Sequence, residues 1–220
     1  MSETLRLAEL LCARLCHDLS GPLGALIGVI EIARDEQPAS EALSLAEETA
    51  VELAQRLKLL RAAWGHDEDE MDVRRLRGFA DCLSSSRRVL LDLAGLEPDA
   101  VFAPPAGRMV LNLLLLAAES LPGGGIVALS GSPDASILVT ISGPRAAWPA
   151  GFSVWLADQA AAWEAVMVDA RGLQAPLTAL LARGHGFRLS MLMPAGAVGD
   201  AGLSPPLLLT LDPSRSVRLG

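Results

Sequence analysis

Arg14-Leu15-Cys16-His17-Asp18-Leu19-Ser20-Gly21-Pro22-Leu23 places a histidine and an aspartate in a segment whose other residues recur with a helical period. With Leu15 at zero on a wheel of about 100° per residue, Ala8, Leu11, Cys12, Leu19, Leu23, Leu26, Ile30 and Ala33 share one broad apolar arc. His17 falls roughly opposite, at about 200°. Its neighbours there are Ala13, Ser20, Gly21, Gly24 and Gly28, nearly all small. A glycine inside a helix costs about 0.5–1 kcal/mol against alanine, so stability alone does not favour these residues. The pattern suits a reactive imidazole that a macromolecule can approach closely.

Working outward, the helical pattern runs from Glu3 to Arg34, and Glu36-Gln37-Pro38-Ala39-Ser40 reads as a turn with Ser40 as the next N-cap. A second helix follows, with Leu43, Ala46, Ala50, Leu53, Leu57, Leu60 and Trp64 in alternating steps of three and four. Glu52 and Arg56 stand at i,i+4, suited to an exposed pair. The two helices make a hairpin whose apolar faces are wider than one partner covers. A second copy completing a four-helix bundle is the expected solution, giving a homodimer through residues 1–64.

The chain has 220 residues, of which 51% are hydrophobic and 20% charged, which rules out disorder as the main state. Its net charge of −8 argues against a nucleic-acid binder. Cys12, Cys16 and Cys82 form no disulfide framework, and the N-terminus lacks signal-peptide character. The apolar run Met109 to Ala118 is broken by Asn112 and falls short of the roughly 20 residues a membrane span needs. A cytoplasmic protein with no membrane partner is expected.

Gly65 to Glu70 is acidic and marks a boundary, giving residues 1–66 as the hairpin and 67–220 as a second domain. In the latter, Val73–Leu83, Ala106–Leu121 and Leu173–Ala182 read as helices. Arg87–Leu93, Phe187–Met193 and Leu207–Leu211 read as strands, and Ile126–Ser130 with Ile137–Ser142 as a hairpin. Trp148–Val168 holds a short helix over Trp155–Trp163. The fold class is α+β, with strands mostly joined by hairpins.

Imidazole is a nucleophile as well as an acid or base, and phosphoryl transfer asks mainly for positioning and charge neutralisation. His17 on a rigid helix can hold a phosphoryl group and pass it on. Asp18 can bind one ring nitrogen and leave the other to attack. Arg14, one turn earlier, can meet a phosphoryl oxygen. Leu10, at about 220° on the wheel, reads as an exposed apolar residue beside the ring. Leu10, Arg14, Gly21, Gly24 and Gly28 are the expected docking contacts. Cys12 and Cys16 lean toward the apolar arc, away from His17, and read as packed thiols rather than metal ligands. Cys82 reads as packing, His66 as a solvated linker residue and His185 as part of a turn. Gly123–Gly125 lacks the Lys-Ser/Thr of a phosphate loop.

The spacing His17-Asp18-Leu19-x-x-Pro22-Leu23 resembles the dimerisation and phosphoacceptor motif of sensor histidine kinases. The second domain resembles their ATP-binding module in degenerate form, an α/β sandwich. Asn112-Leu113-Leu114-Leu115-Leu116-Ala117 is similar to the N-box, with Leu116 where that family repeats asparagine. Ser142-Gly143-Pro144 stands in place of the adenine-binding Asp-x-Gly, and no Gly-x-Gly-x-Gly lid follows. Together with Leu180-Leu181-Ala182-Arg183, these features resemble the ChpT-type histidine phosphotransferases of alphaproteobacteria across essentially the whole chain. That resemblance implies transfer from a hybrid-kinase receiver to His17 and on to a response-regulator receiver, in cell-cycle control. It also implies no cofactor in this chain, with Mg2+ supplied by the receiver. A histidine autokinase with an atypical ATP pocket and a non-catalytic receiver-binding module are the competing readings. Nucleotide titration and a transfer time course separate them.

Overall fold

The computed structural model describes residues 3–35, 40–65, 69–80, 82–83, 88–192 and 204–210. Helix α1 (Glu3–Asp35) runs unbroken through Pro22, and α2 (Ser40–Trp64) returns alongside it. The expected turn around Pro38 and the linker residue His66 lie outside the described residues.

Beyond the hairpin, β1 (Met71–Asp72) leads into α3 (Val73–Arg77), whose first turn is capped by Asp72 accepting from the Arg75 amide at 2.6 Å. This helix stops at Gly78, and helical residues resume at Ala80 and at Cys82 and Leu83, so the stretch expected as one helix over Val73–Leu83 is interrupted at Gly78 and Phe79. Then come β2 (Val89–Leu96), β3 (Val101–Phe102), α4 (Pro104–Glu119), β4 (Gly125–Ser132) and β5 (Ser136–Ser142). The chain continues through α5 (Phe152–Ala157), α6 (Gln159–Val166), α7 (Gln174–Gly184), β6 (Arg188–Met191) and β7 (Leu207–Thr210). The single helix expected over Trp155–Trp163 is two helices, divided at Asp158. Its carboxylate caps α6 by accepting from the Ala160 amide at 2.8 Å.

Five strands form one sheet in the order β2-β4-β5-β7-β6, while β1 and β3 pair separately. The expected β4–β5 hairpin is present and antiparallel. The edge differs from expectation, because β2 pairs with β4 in parallel. The intervening α4 makes the crossover that a parallel pair demands. Gly125 and Gly143, with φ of 147° and 158°, let the backbones at one end of the β4–β5 ladder approach more closely than a side chain would allow.

Inward positions of the sheet, including Val127, Leu129, Ile137, Val139, Ile141, Leu207 and Leu209, are buried. Alternation along β5 is strict, as a sheet covered on one face requires. Against it lies α4, almost wholly buried, with α7 packed beside it. The last turns of α2 enter the same core through Leu59, Leu60 and Ala63. Thus the helical hairpin is rooted in the second domain. Its far end is different: Leu23, Ile27, Ile30, Leu43 and Val51 are exposed. Three of the seven residues in the α2 heptad series, Leu43, Ala50 and Leu57, are likewise exposed, while Ala46 and Leu60 are buried. By length and composition, the stretch Thr4–Arg34 is apolar enough to cross a membrane, a feature absent from the sequence-based expectation.

Candidate functional site

Three side chains converge on the carboxylate of Asp18. Arg14 Nε donates to Oδ1 at 2.9 Å, Arg56 Nη2 donates to Oδ2 at 3.1 Å, and His17 Nδ1 lies 3.4 Å from Oδ1. Burial would raise the Asp18 pKa, but Arg14 and then Arg56 outweigh it and hold the group below the ordinary carboxylate range. An ionised carboxylate only accepts, so a hydrogen bond across this 3.4 Å contact requires the tautomer with hydrogen on Nδ1. The other nitrogen, Nε2, has no protein partner among the described residues. The His17 side chain is 61% exposed whereas that of Asp18 is 9%. The site therefore pairs a wet nucleophile with a sheltered, charged orienting group. Around them, His17, Asp18, Gly21, Pro22, Glu52, Arg56 and Cys82 line a shallow cavity of about 310 Å³.

Pro22 belongs here for a local reason. It has no N–H for the Asp18 carbonyl one turn back, yet α1 continues past it. A Cβ built on Gly21, Gly24 or Gly28 would meet nothing within 4 Å. The glycines are therefore not forced by packing within the chain, and they leave the surface beside His17 low and open.

Two expected contacts move elsewhere. Leu10 is not on the open surface: it is 6% exposed and packs with Val166, Leu173 and Leu177 of the second domain. Arg14 is also buried, and its guanidinium does not reach outward to a phosphoryl group. Besides Asp18, it donates through Nη2 to Glu119 and through Nη1 to the Arg171 carbonyl at 2.7 Å and the Ala170 carbonyl at 3.4 Å. Burial would lower the Arg14 pKa, but Glu119 and then Asp18 raise it. Cys12 and Cys16, expected to be packed, are exposed, while Cys82 is buried.

Arg56 and Glu119 were not read as site residues from the sequence. The Glu52–Arg56 spacing suggested a solvent-exposed pair, but Arg56 reaches across the hairpin to Asp18. Glu119 is distant in sequence, and only the fold brings it near. A usable signal did exist: Leu7, Leu10 and Leu11 form a second apolar stripe, which puts Arg14 at the edge of a buried face.

The residues resembling a nucleotide pocket are engaged in packing. Asn112 is fully buried, and its Nδ2 donates to the Ala63 carbonyl at 2.8 Å and the Arg108 carbonyl at 2.9 Å. Its Oδ1 accepts from Gln174 Nε2 at 3.1 Å, and Gln174 also donates to the Thr178 hydroxyl oxygen. Leu116 is likewise buried in the core. Among the described residues, no group of three or more histidine, cysteine, aspartate or glutamate side chains is placed to hold a metal ion.

A helical hairpin that carries an oriented, exposed histidine beside an α/β domain is an arrangement chemically suited to group transfer. Residues 73–196 match the histidine phosphotransferase C-terminal domain, and the chain belongs to that family. It is 28% identical over 195 residues to the protein phosphotransferase ChpT of Brucella abortus (strain 2308), spanning 86% of this chain and 91% of that protein. The fold is similar to a solved bacterial phosphotransferase, with a TM-score of 0.71 at 24% identity, over 96% of this chain and 97% of that one.

Proposed function

We propose that this protein is a phosphorelay intermediate in which His17 is the phosphoacceptor. The observation that carries the reading is the exposed imidazole with Nδ1 directed at a buried, doubly paired Asp18. In the forward step, the Nε2 lone pair forms a bond to phosphorus of a receiver aspartyl phosphate. The acyl P–O bond breaks, and its electrons return to the receiver carboxylate. The Nδ1 proton remains beside Asp18, where the ionised carboxylate stabilises the positive charge on the ring. The reverse step transfers the phosphoryl group to a second receiver. Magnesium belongs to the receiver, whose acidic site requires it for the charge on the phosphoryl oxygens.

Family membership supports the phosphotransfer chemistry, and the surface beside His17 supports a macromolecular donor. The donor is a hybrid-kinase receiver and the acceptor is a response regulator acting in cell-cycle control. The unit is a cytoplasmic homodimer. Its seam is the exposed apolar face of the hairpin, and a groove of about 540 Å³ nearer the second domain is lined by Leu11, Leu15, Leu57 and Trp64 with Lys58 and Arg61. Arg14 and Asp18, paired with Glu119 and Arg56 midway along α1, favour this reading of the apolar stripe over a membrane span. The engagement of Asn112 by Ala63 and Gln174 favours transfer without ATP.

The test is incubation with a panel of phosphorylated receiver domains. The intact protein should acquire label and His17→Ala should acquire none while keeping its assembly state. Undiminished labelling of the variant overturns the assignment, and labelling by ATP alone establishes the autokinase instead.

A further inference from the structure

The second domain reaches the reacting ring through a chain of charged contacts. Glu119, the last residue of α4, accepts from Nη2 of Arg14. The same guanidinium is fixed from another side by the Ala170 and Arg171 carbonyls between α6 and α7. With Nη1 and Nη2 so held, Nε is aimed at Asp18 Oδ1, the oxygen that also faces His17 Nδ1. The Arg14 side chain is 9% exposed and that of Glu119 is 23% exposed, so solvent does not replace these partners freely. In charge the set is balanced: Arg14 and Arg56 against Asp18 and Glu119.

The geometry points to Glu119 as a positioning residue for phosphotransfer, acting through Arg14 and Asp18 to set the orientation and tautomer of His17. This rests on the reading of His17 as phosphoacceptor. Glu119 touches neither the ring nor the incoming phosphoryl group. Without its charge, the two arginines face Asp18 as the sole carboxylate among the four groups. Asp18 Oδ1 is then drawn toward Arg14 and away from Nδ1–H. The hydrogen on Nδ1 is what leaves the Nε2 lone pair free, and relaxing that preference lowers the fraction of rings able to attack.

Glu119→Gln preserves shape and removes charge. Its transfer rate constant from a phosphorylated receiver should fall about tenfold, the scale at which supporting partners of a functional histidine act, while the receiver concentration for half-maximal rate is unchanged. Glu119→Asp, which retains charge at shorter reach, should fall between the two. In an Asp18→Asn background, Glu119→Gln should add no further loss, since the carboxylate through which it acts is gone. Nitrogen-15 NMR of His17 should show the Nδ1–H form in the intact protein and a mixture in Glu119→Gln. A wild-type rate for Glu119→Gln, an equal loss in the Asp18→Asn background, or an unaltered tautomer overturns the proposal. His17→Ala is run alongside: label on that variant overturns the phosphoacceptor reading itself, which separates the two failures.

Discussion

At Asp18 one carboxylate serves two arginines and an imidazole, and its protonation state links folding to chemistry. Its folded pKa lies below the ordinary value of about 3.9, so the ionised form is bound more favourably in the folded chain than in the unfolded one. The resulting stability is complete above the unfolded pKa and is lost as pH falls through the folded value. The stability gap between the intact protein and Asp18→Asn should therefore be flat from about pH 5 to 7 and shrink below about pH 4. Urea titrations at a series of pH values measure it, and a gap that widens in acid contradicts the ion pairing. The same substitution should depress transfer by about a hundredfold or more at neutral pH, as loss of an orienting carboxylate does in other histidine sites. The His17–Asp18 pair was legible in the sequence because its spacing and wheel position are local. The destination of Arg14 was not, since Glu119, Ala170 and Arg171 come from elements that only the fold brings to α1.

Along α1 the glycines and the apolar stripe face different neighbours and make different demands. Gly24 is exposed with free space at its Cβ position, so Gly24→Ala should stabilise the chain by about 0.5–1 kcal/mol and leave transfer intact. Gly24→Leu should fold equally well but raise the receiver concentration needed for half-maximal transfer, because the added bulk stands where the partner approaches. Equal transfer kinetics for both variants would remove the glycine face from the docking surface. Among the exposed apolar residues of α1, Ile27 is 50% exposed, and the proposed dimer would cover it with a second copy. Ile27→Asp should leave the helical content unchanged and shift light scattering from dimer to monomer, whereas a persistent dimer would place the seam elsewhere. Periodicity showed both helices because it depends on consecutive residues. It could not assign each flank of α1 to the second domain, a partner copy or solvent, so Leu10 was read as exposed and Cys12 as packed.

For the molecule as a whole, the decisive question is how the hairpin and the α/β domain hold one another. The break in the Met109–Ala118 run at Asn112 was visible in the sequence, but its partners, Ala63 and Gln174, are 49 and 62 residues away. A motif alone gives the residue and not its allegiance. In the fold, both amide hydrogens of Asn112 meet carbonyls and its oxygen accepts from Gln174, so the group is fully engaged between α2, α4 and α7. Asn112→Ala removes two donors and one acceptor from a site with no exposure to water. The Ala63 carbonyl and the Gln174 amide lose a buried partner, a change worth about 1–3 kcal/mol. Urea denaturation should show that loss, and hydrogen exchange should show weaker protection in the last turns of α2, where the strut is attached. If Asn112 were instead a vestigial ligand site with no structural duty, the variant would match the intact protein in both measurements. The joint between the two halves would then have to lie in the Arg14 contacts and in the apolar packing of Leu10, Leu59, Leu60 and Ala63.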